Sequence, residues 1–266
     1  MPDAHAPFPP GAPRRRVRIG PVDIDPIPRA DLPGVLDGLV ASGGAHAVAF
    51  CDSHVCARAS TEADLRAALA AMTLVLPDGV SMTAGARLLG HPWHDRLPGP
   101  LVMLDYCAHG VAAGRRHFFY GGAPGVPDAL ASRLCEAMPG LVVAGTYSPP
   151  FRELTDDEER DVAARIEGCG TEVLWVGLGA PKQELWMTRH LGRLHVPLML
   201  GVGAAFDFHS GARRWAPPVV RRLGLEWAYR MLTGGRRVAA RNARYVSLFV
   251  GVLAAQVARE RLLGQR

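Results

Sequence analysis

The sequence predicts an α/β fold: a mostly parallel sheet with helices on both faces, followed by a basic helical C-terminal appendage. Three observations predict it. Short apolar runs of strand length alternate with amphipathic helical patterns, the rhythm of a covered parallel sheet. Several of those runs end in Pro-Asp-Gly or glycine-rich turns. Charge is divided along the chain: residues 213–266 hold 12 Arg against only Glu226 and Glu260, a balance of +10. The whole chain is +5, so residues 1–212 carry −5.

Taken in order, residues 1–16 hold five prolines and no apolar core, which predicts a Pro-rich disordered tail rather than a secretory leader. Residues 18–24 read as a first strand and 27–41 as a helix. Residues 46–52 form an apolar strand. Thr61-Glu-Ala-Asp64 has the spacing of a capping box and opens a helix with Leu65, Leu69 and Met72 on one face. Residues 73–77 are a strand that stops at Asp78-Gly79, and 80–89 the helix after it. Residues 117–120 are a strand ending in Gly121-Gly122-Ala-Pro-Gly125, with a helix through Met138. Residues 141–146 form another strand. Ser148-Pro-Pro-Phe-Arg152 reads as a long surface connection before a second capping box, Thr155 to Glu158. Residues 173–176 are a strand, 183–194 a helix and 198–202 the last strand. The division is therefore a tail at 1–16, a core at 17–210 and a basic segment at 211–266.

Composition excludes several classes. With 266 residues, 48% apolar and 21% charged, the chain buries a full core and is neither disordered nor collagenous. No apolar run reaches the roughly 18 residues that span a bilayer. The five cysteines form no CxxC pair and are odd in number, which argues against a disulfide framework or zinc site and for a reducing compartment. Buried packing is the expected role of Cys51, Cys56 and Cys135. Nucleic-acid binding has basicity in its favour but no recognition motif.

In an open α/β sheet, ligands sit at the carboxyl ends of the strands. Three such ends carry chemistry. Asp78 lies just past a strand, where a half-buried carboxylate serves as a general base or, alternatively, as a helix cap. Gly121, Gly122 and Gly125 expose backbone N–H groups suited to a diphosphate, or simply make a tight turn. Gly177-Leu-Gly179-Ala-Pro-Lys182-Gln183-Glu184 joins a glycine turn to the single lysine of the chain. Asp23-Ile-Asp25 spells a DxD, but it adjoins the first strand and reads as structural. His91, His94 and Asp95 fall in a loop without metal-ligand spacing, so no metal site is expected.

Together the motifs resemble one family. Leu-Pro-Asp78-Gly, Phe-Tyr-Gly-Gly-Ala-Pro-Gly125, Val-Gly-Leu-Gly-Ala-Pro-Lys-Gln-Glu184, Gly203-Ala-Ala-Phe-Asp-Phe208 and Gly224-Leu-Glu-Trp227…Arg230 are similar, in order and spacing, to the WecG/TagA/CpsF glycosyltransferases. The likeness runs from about Gly20 to Arg244. It implies a Rossmann-like core and an inverting bacterial enzyme that moves a sugar from a UDP-sugar to a polyprenyl-diphosphate-linked acceptor. The implied setting is the inner face of the plasma membrane, in cell-surface polysaccharide synthesis, without a metal cofactor. By the same resemblance Asp78 is the base and Gln183 an active-site residue. Asp52, His54, Gly121, Gly122, Gly125, Gly177, Gly179, Lys182, Glu184 and Asp207 surround the nucleotide sugar, and Arg230, Arg237 and Arg241 supply charge from the appendage. Partners follow: the two substrates, an anionic membrane surface and a second copy of the chain, with no nucleic acid.

Residues 245–258 are too short to span a bilayer. They suit either an interfacial helix or one packed on protein. Three departures stand out. Asp52 occupies a place where Asn is usual, Trp215 replaces Arg or Gln before Ala-Pro, and Gly99-Pro-Leu101 replaces a Gly-Thr-Asp-type motif. They leave open a second class of function, a non-catalytic membrane-associated scaffold of a polysaccharide assembly.

Overall fold

The computed structural model of the chain describes residues 16–93, 95–233 and 235–264, with backbone only at 222, 227, 230, 231, 236–239 and 241. The predicted tail lies outside the described residues except for Arg16, as does His94. The elements run β1 (Val17–Ile19), β2 (Val22–Ile24), α1 (Leu32–Ala41), β3 (His46–Cys51), α2 (Ser53–Thr61), α3 (Ala63–Ala71), β4 (Leu74–Pro77), α4 (Val80–Leu88), α5 (Gly99–Gly110) and β5 (Arg116–Gly121). They continue with α6 (Val126–Ala137), β6 (Val142–Tyr147), α7 (Asp156–Gly168), β7 (Val173–Gly177), α8 (Lys182–His190), β8 (Leu198–Gly201), α9 (Ala205–Ser210), α10 (Pro218–Arg222), α11 (Glu226–Thr233) and α12 (Gly235–Leu262).

Six strands form one parallel sheet in the order β4-β3-β8-β7-β5-β6. Strand side chains alternate between faces, so β3 sends Ala47, Ala49 and Cys51 into one layer and Val48 and Phe50 into the other. The first layer is closed by α2, α3, α4, α7, α8 and α12, the second by α1, α5, α6 and α9. The predicted α/β class and its two covered faces are as observed.

Local differences have local causes. Residues 18–24 are a small antiparallel hairpin outside the main sheet, because Gly20, at φ +57°, turns the chain between Ile19 and Val22. The capping box at Thr61 does not form. The Thr61 hydroxyl donates back to Arg58 O at 3.2 Å, and α3 starts without a side-chain cap. The box at Thr155 forms in both directions with Glu158. Cys51 and Cys56 are buried as expected, but Cys135 is exposed. Helices α2 and α5 complete the pattern read from the sequence.

Helix α12 is packed on protein. Phe249 and Leu253 are buried against α2, α4 and the hairpin. Burial of two such side chains contributes about 1.5–3 kcal/mol each. Gln256 accepts from Gly20 N at 2.7 Å and donates to Arg18 O at 2.9 Å, so one amide closes the hairpin turn. Among the described residues, no helix is long and apolar enough to cross a membrane.

Candidate active site

Because all six strands are parallel, their carboxyl ends share one edge, and most of the predicted residues line it. Asp78 N–H donates to Cys51 O at 2.9 Å, which sets Asp78 and Asp52 side by side at the ends of β4 and β3. Next along the edge come Gly203 after β8, Gly177 at the end of β7 and Gly121 at the end of β5. Neighbouring strands are about 4.8 Å apart, so Asp78 and Gly121 are separated by four steps, about 19 Å. The carboxylates therefore stand at one end of this edge and the Gly121 turn toward the other, with the Gly177 turn between them.

The glycines have specific structural reasons. Gly79 precedes α4 at φ +102°, a conformation that a side chain resists. A Cβ on Gly121 would lie 2.5 Å from the Gly177 carbonyl carbon, and one on Gly177 would lie 2.6 Å from the Phe206 ring. Close packing of β5, β7 and α9 thus explains those two without a ligand. Gly125 and Gly179 instead have positive φ and open space beside them, so no close packing accounts for them.

Several predicted binding residues are engaged with protein. Asp52 caps α2, its Oδ1 accepting from Val55 N at 2.8 Å. The His54 ring meets Tyr245 of α12 edge-on at 4.3 Å. Gln183 is buried, and its whole amide is used internally: Oε1 accepts from Gly179 N at 3.2 Å, while Nε2 donates to Gly201 O at 2.8 Å and Glu184 Oε1 at 2.9 Å. Glu184 is fully buried, and desolvation pushes its carboxyl up to about 7. Lys182 is exposed at the start of α8, and Asp207 is half-buried in the first turn of α9. Asp78 itself is half-buried. Arg230 lies on α11, Arg237 and Arg241 on α12, and their side chains lie outside the described residues.

The DxD is occupied by the hairpin. Asp23 pairs with Arg18, and buried Asp25 pairs with Arg16 at 3.1 Å and accepts from Val75 N at 2.8 Å. Sequence reasoning missed Arg96. Leu97 N–H bonds Pro77 O at 2.8 Å, which brings this segment beside the Asp78 end of β4, and the Arg96 guanidinium donates to Arg221 O at 3.1 Å. Nothing in the surrounding Pro- and His-rich loop singles it out. A cavity of about 1200 Å³ opens elsewhere, at the far end of α4 between residues 87–93, Pro26, Pro28 and Val257.

The profile described as Glycosyl transferase WecG/TagA/CpsF family matches residues 17–262, from the hairpin through α12. The chain belongs to this family. Among curated relatives, the N-acetylglucosaminyldiphosphoundecaprenol N-acetyl-beta-D-mannosaminyltransferase of Bacillus spizizenii is 30% identical over 171 residues, 64% of this chain and 65% of that protein. The protein of the same name from Staphylococcus aureus strain MRSA252 is 29% identical over 165 residues, 62% of this chain and 63% of its own length. The matched segment thus spans less than two thirds of either relative. Within the family frame, the Pro-Asp-Gly and glycine turns that carried the sequence resemblance are the ones the fold gathers at one edge.

Proposed function

We propose that the chain is an inverting glycosyltransferase. It moves a hexose, of N-acetylmannosamine, N-acetylmannosaminuronic acid or glucose type, from a UDP-sugar to a polyprenyl-diphosphate-linked sugar in cell-surface polysaccharide synthesis. The observation that carries this reading is the half-buried Asp78 at the end of β4, sharing one sheet edge with the glycine turns after β5 and β7. The family membership and the acceptor in the relatives' name support the same class of substrate.

In this reading Asp78 takes the proton of the acceptor hydroxyl as its oxygen attacks the anomeric carbon. The bond from that carbon to the UDP oxygen breaks, its electron pair stays on the diphosphate, and attack from the opposite face inverts the centre. Charge developing on the diphosphate calls for preorganised donors. Arg96, Lys182, backbone near Gly179, and Arg230, Arg237 and Arg241 are the candidates, without a metal, while backbone near Gly125, about 19 Å along the edge from Asp78, is left for the nucleoside end of the donor. Asp52 and Asp207 flank the donor.

The chain works in the cytoplasm, peripherally at the inner face of the membrane. The support is that α10 and α11 carry exposed apolar side chains, Val219 and Leu223 each 64% exposed and Leu232 86%, in the same segment as exposed Arg213 and Arg214. Apolar side chains set among arginines suit an anionic lipid surface.

The test is UDP release from a panel of UDP-hexoses, with and without a short-chain polyprenyl-diphosphate sugar and anionic lipid. Acceptor-dependent release with one donor is the expected result. No release with any donor, and no UDP binding by calorimetry, overturns the transferase and leaves the scaffold.

A further inference from the structure

A buried carboxyl without full hydrogen bonding is costly, and a fold retains one only for a return elsewhere. Glu184 is such a group. It is fully buried in the first turn of α8, and among the described residues its Oε2 has no hydrogen-bond partner. Its Oε1 accepts from Gln183 Nε2, the atom that also donates to Gly201 O, while Gln183 Oε1 accepts from Gly179 N–H. Two acceptors on one side of the Gln183 amide and a donor on the other fix which way it faces. The chain Glu184–Gln183–Gly179 ties the turn after β7 to the end of β8, across the middle of the candidate site.

We propose that Glu184 is a positioning residue: its carboxyl holds the Gln183 amide, and through it the turn from Gly177 to Pro181, in the shape that receives the donor's diphosphate. This rests on the glycosyltransferase reading above. The same turn is held from the other side by Arg58, which donates to Ala180 O at 3.1 Å and is otherwise committed to Glu62. The titratable groups that face Glu184 are Asp52 and Arg58 on α2 and Cys51 on β3. Helix α3, also against α8, turns Leu65 and Leu69 inward, and β8 brings only apolar residues and Gly201. Burial, with the Asp52 carboxylate adding to it, pushes the Glu184 carboxyl up to about 7, so it is largely protonated below neutrality. Once ionised, it still accepts from Gln183 but competes with Glu62 for Arg58 and draws that guanidinium off Ala180, so the turn loses its second hold. The turn is thus held below neutrality and loosened above it.

Glu184→Gln keeps an acceptor for Gln183 and cannot ionise. In the wild type, the donor KM rises roughly fifteenfold from pH 7 to pH 8.5, as the protonated fraction falls by about that factor, with kcat little changed. In Glu184→Gln the KM stays flat, and in Glu184→Ala it is high at every pH. A purely structural role would lower kcat with the folded fraction and show no such split. Matching wild-type and Glu184→Gln profiles, or a wild-type KM in Glu184→Ala, overturn the proposal. Amide exchange at Gly179, compared between wild type and Glu184→Gln at pH 8.5, reads the turn without turnover. Faster exchange in the wild type is expected, and equal rates overturn the role of Glu184 even if no UDP-sugar is turned over. Absence of turnover with the exchange difference intact overturns only the transferase reading.

Discussion

The Arg221 guanidinium lies 3.8 Å over the centre of the Trp215 ring. The Phe208 ring stacks on Trp215 at 5.6 Å, the His209 ring meets it edge-on at 5.3 Å, and its Nε1 donates to Glu226 at 3.0 Å. One indole therefore joins α9, α10 and α11. His209 also bonds the Pro100 carbonyl at 2.8 Å, so Trp215 and the Gly99-Pro-Leu101 stretch meet in one cluster. The cluster holds the basic segment beside the candidate base. Arg221 O receives Arg96, and Gly224 sits against Val80, where a Cβ would come within 2.0 Å.

Trp215→Ala removes the stack and the bond to Glu226 together. Ring contacts of this kind contribute about 0.5–1.5 kcal/mol beyond burial, and a cation over the ring about 0.5–2. We expect a loss near 2 kcal/mol, concentrated in residues 211–233. Limited proteolysis should cut there much faster than in the wild type, whereas Trp215→Phe should be intermediate because it keeps the ring and loses only the bond to Glu226. Equal protection of Trp215→Ala and wild type would refute the clamp.

Asp78→Asn tests the chemistry without removing volume. General-base catalysis is worth about 10²–10⁴ in rate, so turnover should drop by that factor while the melting temperature stays within a few degrees. The readout is UDP release with the donor that works best for the wild type. A variant retaining more than a tenth of wild-type turnover would take the base role away from Asp78.

Much of this arrangement was legible beforehand, because strand and helix periodicities here are strong and the glycine turns sit at strand ends. The residues that explain Gly121 and Gly177 were not. Gly121 meets Gly177 and Gly177 meets Phe206, each partner more than 25 residues away in sequence, and close approach of that kind leaves no local signal. Asp52 and Gln183 are singled out by motif, but their cap and strut roles depend on hydrogen bonds to backbone that no pattern encodes. The hairpin was missed because three-residue strands around Gly20 are too short to show alternation. The choice between membrane and protein as the seat of residues 245–258 was open for a similar reason. An amphipathic face has the same composition whichever surface covers it.

That seat can be loosened at two points. Gln256→Ala removes two hydrogen bonds to the hairpin backbone, each worth about 1 kcal/mol, and Leu253→Asp places a carboxylate in the apolar contact with Ile19 and Gly85. The first should lower stability by about 2 kcal/mol in urea unfolding. The second should cost more and raise amide exchange throughout α12. Unchanged stability in both would mean that α12 adds nothing to the fold.

Acid sensitivity should come in part from His117. It is fully buried at the amino end of β5, stacked on Trp175, whose Nε1 donates to His117 Nδ1 at 3.1 Å. Burial pushes its pKa down from 6.5 to about 4. The folded chain therefore holds the ring neutral, while the unfolded chain takes up a proton below pH 6.5. The stability linked to this residue is present above pH 6.5 and is lost as the pH falls through 4, a difference of about 3 kcal/mol. His117→Gln offers an acceptor to Trp175 and does not titrate. Urea unfolding at pH 7 and pH 4 should show the wild type losing about 3 kcal/mol more than the variant over that interval. Parallel losses would mean that His117 is protonated as readily in the folded chain as in the unfolded one.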